Sequence, residues 1–115
     1  MERPVIWLLR ATFTGVLIAM LCVTGWASAL VPLWQTPQAL VTHPWFIATL
    51  FDCYFAFLTF YLWVAYRERA WSARILWLIA ILALGNIAMA SYMLRLLWRL
   101  PPDAPMARLL LRPGA

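Results

Sequence analysis

Lysine is absent from this chain, carboxylates number four and histidine one. Charged residues make up 11% of the 115 positions, where a soluble domain carries roughly a quarter. Hydrophobic residues reach 66% and the mean hydropathy is +0.84. A chain this short cannot hide that much apolar surface from water in a core of its own, so the bilayer is the solvent that fits the composition. The two cysteines, Cys22 and Cys53, supply neither a disulfide framework nor a metal cluster. Both lie within apolar runs and read as small hydrophobes, at similar depths if their helices pair. There is no glycine-rich phosphate loop, no metal-ligand spacing and no Ser/His/Asp set, so no enzymatic activity and no cofactor are expected.

What charge there is comes mostly from arginine, and the net charge is +5. The arginines sit at the ends of apolar runs rather than interleaved with aromatics as on a nucleic-acid surface. The positive-inside rule and headgroup contacts explain that placement, so the expected partners are lipid and other membrane proteins, with no nucleic acid.

Three apolar stretches are long enough to cross a hydrocarbon core of about 30 Å. They predict an all-α membrane protein of one domain, 1–115, with three transmembrane helices over about 5–31, 44–66 and 73–98. The first run, ending in Ala27-Ser28-Ala29, also fits a signal peptide with its cleavage site. Its length and the apolar sequel Leu30–Trp34 favour a retained helix. Ala11, Gly15 and Ala19 recur at a spacing that admits a close neighbouring helix. Pro32 ends this helix, and Thr36-Pro37 opens a short interfacial helix near 37–41. His43-Pro44 opens the second span, where the histidine caps or turns the chain; a lone haem-ligating histidine is the alternative. The charged link from Arg67 to Arg74 forces an antiparallel hairpin between the second and third spans. Pro101 and Pro102 stop the third, and the tail over 101–115 is too short to span. Three spans place Arg3, Arg10, Arg67, Arg69 and Arg74 on one side and Arg95, Arg99, Arg108 and Arg112 on the other. The charge-free first loop sets the N-terminus in the cytoplasm, with the bacterial inner membrane the expected location.

Asp52 is the sharpest single feature. An ionised carboxylate within lipid costs on the order of 3 kcal/mol, so it must be neutral, paired or facing water. Thr49, Asp52, Ala56, Thr59, Trp63 and Tyr66 share one stripe of the second span, which is expected to face protein while Phe46, Leu50, Phe57, Leu58 and Leu62 face lipid. An antiparallel third span brings Ser91, Tyr92 and Arg95 towards the level of Asp52. The expected cluster is an Asp52–Arg95 pair, with Asn86, Ser91 or Tyr92 supplying hydrogen bonds and Thr49 alongside. It serves as a clasp between helices, as a proton-carrying or ligand-binding carboxylate, or as a contact with another subunit. The aromatic residues read as interfacial belts and packing, with a pigment or quinone groove as the alternative.

The order Trp45, Thr49, Asp52, Tyr54, Trp63, Tyr66, Glu68, Trp71, Trp77, Gly85 and Tyr92 resembles a domain-of-unknown-function family of small multi-helix membrane proteins found in bacteria and plants. The likeness covers about residues 45–97. It implies a small integral membrane protein and brings no activity, ligand or functional residue with it. The expected role is a structural or accessory subunit of a larger membrane complex or homo-oligomer. The alternatives are a small transporter or proton-conducting oligomer using Asp52, and a subunit holding pigment, quinone or haem.

Overall fold

The computed structural model describes residues 3–113. Among these the regular elements are all helical: α1 (Arg3–Leu30), a 3-10 turn (Leu33–Gln35), α2 (Gln38–Val41), α3 (Pro44–Arg67), α4 (Trp71–Leu84), α5 (Asn86–Arg99) and α6 (Met106–Leu110). By length and composition, α1 and α3 can each cross a membrane. The short α2 lies where Thr36-Pro37 predicted a helix, and α3 begins at the predicted place. His43 is the N-cap of α3: its Nδ1 accepts from the Trp45 amide at 3.2 Å, satisfying a donor that the helix start leaves open.

The third span differs from expectation. Residues 73–98 do not form one helix: the chain breaks at Gly85 into two 14-residue arms, α4 and α5, each about 21 Å long and short of a full crossing. Gly85 has φ 56° and ψ −121°, a combination open to residues without a Cβ. Its amide donates to Ile81 and its carbonyl accepts from Met89, so one residue ends the first arm and starts the second. A Cβ here would lie 2.8 Å from Cζ of Phe57. The missing side chain makes the notch in which that ring sits.

Side-chain contacts show where the second arm goes. Tyr61 donates to the Arg74 carbonyl at 3.0 Å and Tyr54 to the Leu82 carbonyl at 3.4 Å, which fixes α4 antiparallel to α3. A straight continuation in that register would carry Tyr92 to the level of His43. Instead the Tyr92 ring packs edge-on against Phe60, Trp63 and Trp77, at centroid distances of 6.2, 5.8 and 4.8 Å. Trp77 and Tyr92 stand at nearly equal distances either side of Gly85, so α5 doubles back along α4 as a helical hairpin.

The hairpin decides the rest of the packing. α5 returns to the end of the molecule where α1 begins and lies between α1 and α4. Ile6, Val64, Ile81, Tyr92, Leu97 and Leu109 are fully buried there. α1 packs through Ile6, Leu9, Arg10 and Phe13; the Ala11–Gly15–Ala19 stripe meets no neighbour, since a Cβ on Gly15 would touch nothing within 4 Å. Trp98, which a straight third span would carry to the end of the molecule that holds Trp34 and Trp45, instead packs edge-on against Trp7 at 5.9 Å. On α3 the buried arc carries Phe57, Phe60 and Val64. Phe57, expected on the lipid face, fills the Gly85 notch, while Thr49, Asp52, Ala56 and Thr59 stay exposed. Burying a large aromatic ring stabilises more than burying small polar groups that already have local partners.

The tail is docked. Pro101 follows α5 as expected, but α6 then folds back with Leu109 buried, and the Trp63 indole donates to the Leu110 carbonyl at 2.8 Å. The expected five-to-four split of arginines across two ends therefore gives way to one arginine-rich end.

Candidate functional site

Chain reversal at Gly85 brings several helix C-termini together at that end, and each leaves carbonyls without intrahelical partners. Arginine from another segment answers them. Arg10 of α1 is buried and donates from Nε and Nη2 to the Leu97 carbonyl at 3.2 and 2.9 Å, and from Nη2 to Leu100 at 2.8 Å. Its guanidinium lies against two indoles, 4.7 Å from the Trp7 ring centre and 4.3 Å from that of Trp98. Arg67, at the end of α3 and also buried, donates from Nη1 to the carbonyls of Arg108, Leu109 and Leu111 around the end of α6. Arg112 donates to Tyr66 at 2.5 Å and Arg74 to Glu68 at 2.8 Å, both at the end of α3. Positive charge at a helix C-terminus also complements the helix dipole. The planar guanidinium holds five donors in a fixed fork, and Arg10 uses two of its nitrogens to bridge the Leu97 and Leu100 carbonyls.

Every arginine side-chain hydrogen bond among the described residues ends on a main-chain carbonyl. Two buried polar atoms make no hydrogen bond of ordinary geometry, the Tyr92 hydroxyl and Arg67 Nε, although the Arg67 side chain lies beside the Tyr92 hydroxyl. Sequence reasoning did not find Arg10 and Arg67. A signal was present: Trp7, Trp63 and Trp71 each stand one helical turn before an arginine that lies over the ring, at 4.7, 6.0 and 4.8 Å.

The residues expected to cluster around Asp52 do not gather. Asp52 is exposed on α3, and Arg95 is exposed on α5. Because α5 turns back, Tyr92 sits against Phe60 and Trp63, about 12–16 Å along α3 from Asp52. Asn86 is exposed at the hairpin tip beside Gly85. Ser91 donates to its own helix at Ile87, 2.7 Å away, and Thr49 to Trp45 at 2.7 Å. Thr59 does the same to Phe55 at 2.8 Å, which leaves the Asp52 carboxylate and the Tyr66 hydroxyl as the polar side-chain groups of the stripe with no hydrogen bond among the described residues. Cys22 is exposed and Cys53 half-buried, and both are free thiols. No group of three or more His, Cys, Asp or Glu able to hold a metal ion occurs among the described residues.

No curated protein and no solved structure matches this chain. One family model does, and it runs over residues 3–114, reaching past the 45–97 stretch that carried the resemblance to include α1 and the tail. The chain belongs to that family, described as a protein of unknown function (DUF1475).

Proposed function

We propose that the chain is an integral membrane protein in which α1 and α3 cross the bilayer and the α4–α5 hairpin enters and leaves from one side. The arginine-rich end then faces the cytoplasm under the positive-inside rule, and both termini lie there. Backbone at membrane depth must satisfy its own polar groups, and the Gly85 turn meets this by passing directly from one helix to the next. Burial of Ile6 and Arg10 against α5 supports α1 as a retained part of the fold. Fusion of a fluorescent protein to the C-terminus should give full fluorescence and fusion of alkaline phosphatase none; the reverse result would restore three crossings.

Within this arrangement the chain acts as a structural or accessory subunit that binds a neighbouring transmembrane helix. One observation carries the reading: Asp52 lies on the exposed side of an apolar helix, where lipid offers it no hydrogen-bond donor. Ala56, one turn away, leaves room for close approach. A cysteine introduced as Ala56→Cys, in a background lacking Cys22 and Cys53, should crosslink in membranes to itself or to a second protein. Adding Asp52→Leu should reduce the yield several-fold, and an unchanged yield would sink the reading. Proton uptake by proteoliposomes that depends on Asp52 would assign transport instead.

A further inference from the structure

Between the ends of α3 and α5 and the α6 segment lies a pocket of about 410 Å³, lined by Arg67, Arg99, Arg108 and Arg112 together with Leu100 and Leu111. Four guanidinium groups around one cavity repel one another unless something neutralises them. No carboxylate among the described residues accepts a hydrogen bond from any of the four: Arg67 and Arg112 donate to main-chain carbonyls, and Arg99 and Arg108 donate none from their side chains. Arg67 is 7% exposed and its Nε has no partner. A mostly buried arginine that lines one pocket with three further arginines presents a concentration of positive charge suited to an anionic ligand.

We infer that this pocket binds a phosphate group. Arginine forks match the oxygen geometry of phosphate and can engage it two bonds at a time. The group has two candidate sources: the headgroup of an anionic phospholipid or a free phosphate compound. Only the lipid source rests on the membrane placement proposed above; the phosphate chemistry does not. The pocket lies at the arginine-rich end, beside the ends of helices that would meet the cytoplasmic headgroup layer, where basic pockets take such headgroups.

The test uses the full chain purified in a neutral maltoside detergent without phosphate. Phosphatidylglycerol, phosphatidylcholine and inorganic phosphate are titrated separately, with binding read by native mass spectrometry and thermal shift. Three double variants are compared with the parent. Arg99→Gln with Arg108→Gln removes two pocket charges that make no side-chain hydrogen bond. Arg3→Gln with Arg95→Gln removes the same charge from exposed positions outside the pocket. Arg99→Lys with Arg108→Lys keeps the charge and loses the fork. Circular dichroism and elution volume confirm that each variant is folded.

Binding of phosphatidylglycerol over phosphatidylcholine, weakened about 30-fold in the first variant and under about threefold in the second, is the expected result. The lysine variant should fall between them. Phosphatidylglycerol bound without competition from inorganic phosphate assigns the lipid source; inorganic phosphate bound through the same two arginines assigns the free source. Equal loss in the first two variants would mean diffuse charge and overturn the inference, as would no binding of either probe by the parent chain. Pocket-dependent phosphate binding by a protein that stays soluble without detergent would keep the inference and remove the membrane reading.

Discussion

The two ends of this molecule are built on different principles. At the arginine end, α1, α3, α5 and α6 meet, and Tyr92, Arg10 and Arg67 are buried among aromatic rings and carbonyls. At the other end, every residue from Leu21 to Leu30 is exposed, and so are Trp34 and Trp45. The hairpin reaches only part of the way along α3, so the outer halves of α1 and α3 have no helix between them. Tertiary structure is concentrated where helix termini must be satisfied, and the apolar far half stays exposed.

That contrast can be broken most sharply at Tyr92. Tyr92→Ala empties the aromatic nest and should destabilise the protein by about 4 kcal/mol, measured by denaturant unfolding in detergent. Tyr92→Phe should leave stability unchanged or raise it, because the lost hydroxyl has no partner and its burial is a cost. A marked loss in the phenylalanine variant would mean that the hydroxyl is bonded, and would tie Tyr92 to Arg67. Gly85→Ala forces a side chain into a glycine conformation and towards Phe57, at about 2–3 kcal/mol. Its effect should also appear as faster proteolysis in the tail, since the tail docks only if the hairpin closes. Arg10→Met strands the carbonyls of Leu97 and Leu100 and should cost about 2 kcal/mol, with Arg10→Lys recovering part of it. Leu21→Ala, in the outer half, should change stability by less than about 0.5 kcal/mol. A large effect of that last variant in the membrane, absent in detergent, would place a partner on the outer half.

Much of the helix layout was legible in the amino-acid order. Apolar runs located α1 and α3, Pro44 and His43 marked a helix start, and Pro101 marked a stop. The hairpin was not legible, because hydropathy passes through Gly85 without interruption and glycine is common in apolar helices. What makes this glycine a turn is Phe57, distant in sequence, together with the nest that Phe60, Trp63 and Trp77 offer to Tyr92. Every misplacement around the candidate site follows from that turn. Once α5 reverses, Ser91, Tyr92 and Arg95 move away from Asp52, Trp98 joins Trp7, and four arginines change ends. Side-chain periodicity on α3 grouped Thr49, Asp52, Ala56 and Thr59 correctly on one stripe, but their exposure depends on which face the hairpin covers.

The bond from Arg10 to Leu97 and Leu100 sets an order in time. It joins residues 87 and 90 positions apart, one on α1 and the others at the end of α5. At about 5–20 residues per second, the ribosome needs roughly 5–20 s to make the intervening chain. Through that interval the Arg10 guanidinium and the Trp7 indole of α1 lack the carbonyls and the second indole, Trp98, that cover them in the folded chain. The contact can therefore form only after translation has passed residue 100.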